Sequence, residues 1–292
     1  MKGKTPDGTK AASKDNSLKV SVSIGTSKQQ SETDAAQVSV QQSTITAGGN
    51  VNVIAAGTGK KDAAGKAVDG DITIVGSNVK GQDISLTAAR DVSLKSAENT
   101  TNTKTTNSSS SAGVGVEMSA KSAPGFFASG SKANTDGNGN TITQTDTSVT
   151  AANTLTIKAG QDINLVGAQA KGETVKVEAG RNLNLESQQA VDNYKETSSS
   201  YGGTITVGAG AGITGSASKG KINSNYQSVT QQTEIHAGQG GFNIEVGKNT
   251  DLKGAVISSD ATPDKNKLST DTLSYSDIKN KADYSIFHRG IQ

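Results

Sequence analysis

The segment Ala159–Leu165, AGQDINL, returns twenty residues later as Ala179–Leu185, AGRNLNL, and this pair decides how the rest of the chain is read. Ala88–Leu94 (AARDVSL) and Ala47–Val53 (AGGNVNV) follow the same order: small, small, any, Asp or Asn, apolar, polar, apolar. The small residues and the Asp or Asn suit a tight turn, and the alternation that follows places two apolar side chains on one face of a strand. Apolar strand starts at Leu155, Ile163, Val175 and Leu183 are separated by steps of 8, 12 and 8, and similar steps recur at Ile72, Ile84 and Val92. A turn of chain of about 20 residues carrying two or three short strands is the unit of a β-solenoid, whose coils stack as parallel strands about 4.8 Å apart. The spacing therefore predicts an all-β fold, a right-handed parallel β-helix with β-hairpin excursions.

Composition agrees with a thin, layered interior. Hydrophobic residues make up 32% of the 292, with four Phe, five Tyr and no Trp, so the core has to be built from Val, Ile, Leu and Ala. Ser, Thr, Asn, Gln and Gly dominate and mean hydropathy is −0.48, which would also fit disorder, but the periodicity argues for order. A net charge of +2 gives no field for nucleic acid, and the absence of cysteine excludes disulfides and thiolate metal sites. Met1–Lys14 is polar and lysine-rich without an apolar stretch, so an export signal is expected elsewhere on a longer chain.

A longer repeat lies over the short one. Ile45 and Val51 match Val149 and Leu155 at an offset of 104, and Leu165 and Gly167 match Leu252 and Gly254 at 87, with Thr58–Gly70 as an insertion. Three units result, 16–105, 106–197 and 198–281, between a flanking or disordered segment at 1–15 and a tail at 282–292. Each unit opens on a Gly-rich alternating stretch, Asn16–Thr26, Ser108–Ala120 or Ser198–Gly212, and continues into coils at Ser43–Val53, Thr147–Ile157 or Thr233–Val246.

The order of a serine run, an alternating Gly/Val stretch, a small-residue patch (Ser129–Lys132 or Ala217–Gly220), a polar strand, AGxDΦxΦ and then Leu165–Gly172 (LVGAQAKG) resembles the haemagglutinin repeats of two-partner-secreted exoproteins. It is most similar to the second repeat region of CdiA-type contact-dependent growth inhibition proteins, and Asn266–Tyr284 resembles the end of that region. The resemblance implies a β-helical segment of a secreted, cell-surface filament that supports delivery of a C-terminal toxin across a target-cell outer membrane. It also implies two partners, the target outer membrane or a receptor on it and an outer-membrane two-partner secretion transporter. An adhesin shaft is the alternative, and a β-helical polysaccharide-active enzyme the third reading; scattered charges argue against the enzyme. No cofactor, metal or nucleic acid is expected, and a monomer is the default for a solenoid.

Candidate sites are few. The two histidines, His236 and His288, are far apart; His236 sits at a polar position of an alternating strand and His288 in an irregular tail, so neither is read as catalytic. Asp136–Asn140 (DGNGN) has half the oxygens of a calcium turn but no downstream Glu, and is read as an ordinary turn. Asn52, Asn164 and Asn184 are read as outward-facing solenoid positions. Asn99–Ser111 is linker-like by composition or a hydroxyl-rich strand, with partial order expected. Tyr201–Ser218 carries no charge and alternates through Ile205, Val207, Ala209, Ala211 and Ile213, a pattern that suits a membrane-active hairpin as well as a water-soluble hairpin laid along the solenoid. Leu18–Ile24 and Val114–Phe127 are its shorter counterparts.

Overall fold

Backbone pairing divides the chain between two kinds of sheet. The computed structural model describes residues 19–119, 122–208 and 211–292, so the segment at 1–15 lies outside it. A long strand β1 (Lys19–Val38) leads to a first tier of short strands, β2 (Thr44–Thr46), β3 (Val51–Ala55) and β4 (Ile72–Val75), and a second, β5 (Asn78–Gly81), β6 (Ile84–Ala88) and β7 (Val92–Lys95). A hairpin of β8 (Ala97–Ser119) and β9 (Ser122–Thr145) follows. The third tier is β10 (Thr147–Ala151), β11 (Thr154–Ala159) and β12 (Ile163–Val166); the fourth is β13 (Ala168–Ala179), which fills two positions, and β14 (Leu183–Glu186). A second hairpin, β15 (Gln189–Gly208) and β16 (Gly212–Val229), precedes a fifth tier of β17 (Glu234–Val246), again double, and β18 (Asn249–Lys253). The sixth tier is β19 (Val256–Ser259), β20 (Lys267–Ser269) and β21 (Thr272–Ser276), and β22 (Lys281–Ile291) closes the chain.

The tiers stack in chain order with parallel register. Ile45, Val79, Val149, Ala170, Ile235 and Ile257 align in one column. Val51, Ile84, Leu155, Val175 and Phe242 align in a second, and Ile72, Val92, Ile163, Leu183, Thr250 and Leu273 in a third. Alternate residues of these strands point inward, and Leu86, Leu94, Leu155, Ile157, Ile163, Leu165 and Leu183 are wholly buried. Each such side chain contributes about 1.5–3 kcal/mol by leaving water. The core draws only on the short-strand tiers.

The AG of the repeated motif turns the corner between the second and third columns, where successive tiers touch backbone to backbone. Gly160 N–H donates to the Ala88 carbonyl at 3.2 Å, Gly180 to Ala159 at 3.0 Å and Gly247 to Ala179 at 2.9 Å. A Cβ on Gly160, Gly180 or Gly247 would run into the carbonyl of the tier before it. Of the four matched segments, Ala47–Val53 alone lies at a different corner, the one between the first and second columns.

Tiers end in two ways. At the ends of the first, third and fifth, Gly76, Gly167 and Gly254 adopt φ of 52°, 61° and 58°, which folds the chain straight back into the next tier. The second and fourth tiers leave instead into the long hairpins. The return from each hairpin is fixed by a threonine with no exposed surface, Thr147 or Thr233. Thr147 Oγ1 donates to the Lys95 carbonyl at 2.6 Å; Thr233 Oγ1 donates to Glu186 at 2.8 Å and accepts from Gly167 N–H at 2.9 Å.

The long strands form one antiparallel sheet in the order β1-β8-β9-β15-β16-β22. The all-β expectation holds, while parallel pairing is confined to the tiers. Three expectations are corrected, and one pair of alternatives is decided. The hairpins are not laid along the tiers but pair with one another, because β8, β9, β15 and β16 each bond to a long strand on either side. Asp136–Asn140 is no turn but the middle of β9, paired on both sides, where a Cβ on Gly137 would press on Tyr194 and one on Gly139 would run into Thr103 Oγ1. Asn99–Ser111 lies entirely within β8, so of its two readings the hydroxyl-rich strand holds, as Thr suits a strand. His288 lies in β22 opposite Gly220, not in an irregular tail.

Two buried threonines separate hydrogen bonding from mere burial. Thr250 has no exposed surface and sits between Leu183 and Leu273, and its Oγ1 has no partner among the described residues. Thr250→Val is expected to raise stability by about 1 kcal/mol. Thr233→Val removes the bond to the Glu186 carbonyl and those accepted from the Gly167 and Ala168 N–H groups, and is expected to cost about 1–3 kcal/mol, both measured by chemical denaturation.

Candidate functional site

Antiparallel register assigns every residue of the long sheet to a face, since directly opposed residues point the same way. Near the hairpin ends one row runs Ile24, Val114, Ala128, Ile205, Ile213 and the next Val22, Val116, Phe126, Val207. The intervening rows, on the opposite face, run Gly25, Gly113, Ser129, Thr204, Thr214 and Ser23, Gly115, Phe127, Thr206, Gly212. The sheet end is thus amphipathic, apolar on one side and mostly small or hydroxylated on the other. No described residue covers the apolar side: Ile24 is 78% exposed, Ile205 52%, Val207 61% and Ile213 80%. Val22, Ile24, Val114, Phe126, Ile205 and Val207 line a shallow groove of about 580 Å³.

Of the residues singled out in the sequence, Ile205, Val207 and Ile213 lie together on this face. Ala211 is exposed beside them, its N–H bonded to the Gly208 carbonyl at 3.1 Å, and Ala209 lies outside the described residues. The described residues of the counterpart stretches Leu18–Ile24 and Val114–Phe127, distant in sequence, join the same surface because β1, β8, β9 and β15 are neighbours; Leu18, Ala120 and Lys121 lie outside the described residues.

Farther from the ends the same face changes character. Asn102, Asn140, Asn193 and Asn225 form a row across four strands, ending opposite Asp283. Asn140 Nδ2 donates to Asn102 Oδ1 at 2.7 Å, while the Asn193 and Asn225 Oδ1 atoms have no partner among the described residues. Sequence reading missed this row, since only the register places these asparagines side by side. On the other face, hydroxyl pairs such as Ser111–Ser131 at 2.8 Å and Ser200–Ser218 at 2.7 Å link the two strands within each hairpin.

The polar side chains of the tiers are structural. Asp71, Asp91, Asp162, Asn182 and Asn249 form a ladder in which each Oδ1 accepts the backbone N–H of the next member, at 3.1, 2.9, 3.1 and 3.4 Å. Arg90 and Arg181 brace it by pairing with Asp71 and Asp162. Asn164 accepts from Asn184 Nδ2 at 2.8 Å, an outward-facing rung of the kind expected, and Asn52 is exposed. His236 Nδ1 is 3.0 Å from Ser258 Oγ and its Nε2 is 3.5 Å from Asp260. Among the described residues no cluster of three or more His, Asp or Glu is arranged to hold a metal ion.

Comparison with known proteins follows the same lines as the geometry. The hemagglutinin repeat model matches residues 22–203 and 193–262. The chain belongs to the hemagglutinin-repeat family. It is 40% identical over 286 residues to the tRNA nuclease CdiA of Escherichia coli O6:K15:H31, covering 94% of this chain and 9% of that protein. It is 43% identical over 275 residues to the deoxyribonuclease CdiA of Yersinia pseudotuberculosis serotype O:3, covering 93% of this chain and 25% of that protein. The 16S rRNA endonuclease CdiA of Enterobacter cloacae matches at 39% over 285 residues, 8% of its length. This hemagglutinin-repeat chain therefore spans a small fraction of the curated relatives it matches. No solved structure matches it.

The ladder gives a pH-dependent stability. The hydrogen bond from Arg181, joined by the Asn182 N–H, holds the Asp162 carboxyl below its ordinary value of 3.8, and Arg90 does the same for Asp71. A carboxyl whose folded value is depressed adds stability that is complete above the ordinary value and is lost as pH falls through the folded one. Asp162→Asn keeps the rung but removes the ion pair. It is expected to cost about 1 kcal/mol or less near neutrality because the pair is partly exposed, with the deficit shrinking as pH falls below the ordinary Asp range in denaturation series.

Proposed function

We propose that the tiers are turns of a right-handed parallel β-helix, the shaft of a secreted, cell-surface exoprotein, and that the hairpin sheet is its membrane-active part in contact-dependent growth inhibition. Each repeat unit is a long strand, two tiers and a second long strand; units at 16–105, 106–197 and 198–281 each contain one pair of tiers. The shaft carries no chemistry of its own. It supports delivery of a C-terminal toxin across the outer membrane of a target cell, reached through that membrane or a receptor on it, after export by a two-partner secretion transporter. The segment works as a monomer without cofactor, and it is not an enzyme: the names of its relatives as nucleases describe proteins of which it matches 8–25%.

The observation that carries this reading is the apolar end of the sheet. A fold gains nothing from Ile24, Ile205 and Ile213 held in water, and charged residues placed on a lipid-facing strand cost about 2–4 kcal/mol each. In an exoprotein that carries this segment, Ile205→Asp, Val207→Asp and Ile213→Asp together are expected to leave display and target-cell attachment intact and to lower growth inhibition of target cells more than about tenfold. Loss of attachment with the same variant, scored by flow cytometry, would favour the adhesin reading instead.

A further inference from the structure

The apolar end of the sheet is bordered, on the same face, by a band of cations. Lys28 and Lys132 both oppose Ser110 in one row, and Lys219 opposes Arg289 in the row beside it. All four are exposed, and none pairs with a carboxylate among the described residues. From the Lys219–Arg289 row to the hairpin ends, this face carries no Asp or Glu among the described residues; the nearest acids, Glu32 and Asp136, lie one row farther in. A row of Thr26, Ala112, Gly130, Gly203 and Gly215 separates the cations from the apolar rows. Lys28 and Ile24 are therefore about 13 Å apart along their strand.

We infer that this face lies flat on an anionic lipid surface, its Val, Ile and Phe side chains in the acyl boundary and the four cations against lipid phosphates. The inference rests on the membrane-active reading of the hairpins and specifies what they recognise. Three observations favour it. The uncompensated positive band complements anionic headgroups, and long basic side chains reach such groups while their stems cover apolar surface. Among the described residues, strict apolar alternation spans Val20–Ile24 on β1 and Val114–Met118 on β8, which is shorter than the 9–11 residues a strand needs to cross a bilayer. The opposite face, with its Gly, Ser and Thr, suits water, as an element that lies in the interface requires. A second copy of the chain is a poorer occupant, because it would bring the same unpaired cations into a shared interface.

Flotation of the whole chain with phosphatidylcholine vesicles, and with vesicles of phosphatidylcholine mixed with phosphatidylglycerol, tests this. Binding is expected on the mixed vesicles, weakened by salt, and reduced about fivefold for each cation removed; Lys28→Gln, Lys132→Gln, Lys219→Gln and Arg289→Gln together lower it by about six hundredfold. These positions lie outside the tier core, and circular dichroism checks that the variant keeps its strands. Ile24→Ser with Ile213→Ser is expected to abolish binding to either vesicle. Equal flotation on both vesicle types, unaffected by the four Gln substitutions, would overturn the anionic inference while leaving the membrane reading in place. Flotation on neither would remove the membrane reading itself. Self-association in sedimentation that Ile24→Ser with Ile213→Ser abolishes, without vesicle binding, would assign the face to a second copy.

Discussion

The length of the backbone hydrogen bond fixes the distance between neighbouring strands at about 4.8 Å, whether they are parallel or antiparallel. Both halves of this molecule obey it at once. Each hairpin widens the antiparallel sheet by two strands, and each pair of tiers lengthens the stack by two strand spacings. β1 and β8 flank the first two tiers in the chain, β9 and β15 the next two, β16 and β22 the last two. The sheet and the stack stay in step because a hairpin is inserted at every second tier. A hairpin at every tier would outrun the stack; one at every third would leave gaps in the sheet. This constraint explains why the corner glycines Gly76, Gly167 and Gly254 occur at alternate tiers, and why the tiers between them open into long strands.

The two halves divide the physical work. The tiers hold the apolar cluster, and their corners are locked by backbone bonds, the Asx ladder and the pinning threonines. The long sheet contributes nothing to that core and owes its order to lateral pairing, with hydroxyl and amide pairs across strands. An isolated two-stranded hairpin is marginal in water, and a row of six strands is not. The low overall hydrophobic content follows from this division, since most of the long-strand residues face solvent on one side or the other.

Periodicity made the tiers legible. Leu155, Ile163, Val175 and Leu183 occupy the inward positions that their 8 and 12 residue steps imply, and the equivalence of Leu165 and Gly167 with Leu252 and Gly254 picks out a true corner. The AG–Asp motif was visible as a turn, but its ladder was not, because the acceptor and donor come from different tiers. The long sheet was harder to read. Thr-, Ser- and Asn-rich sequence such as Asn99–Ser111 has no apolar alternation to mark a strand, and pairing between hairpins, from Val191 opposite Ile142 to Gly208 opposite Gly125, leaves no local trace. DGNGN reads as a turn on local chemistry alone; only the side chains of the neighbouring strands, Tyr194 beside Gly137 and Thr103 beside Gly139, explain glycine within β9. The membrane-active candidates at Ile205, Val207 and Ile213 were legible because charge is absent there, whereas the basic band was not, since Lys28, Lys132, Lys219 and Arg289 come from four separate stretches.

The placement of the apolar rows is itself an argument about their purpose. They sit at the end of the sheet farthest from the tiers, so changing them leaves the core untouched and maintaining them gives the core nothing. Half or more of each side chain is in water at Ile24, Phe126, Ile205 and Ile213, a standing liability for a protein that must avoid edge pairing and aggregation. The opposing rows are largely Gly, Ser and Thr, so the asymmetry is not a general drift toward hydrophobicity in these strands but a difference between faces, kept through alternate positions of strands drawn from all three repeats. Stability cannot account for that pattern, and neither can solubility. A surface that meets an apolar environment on one side only, and water on the other, requires it.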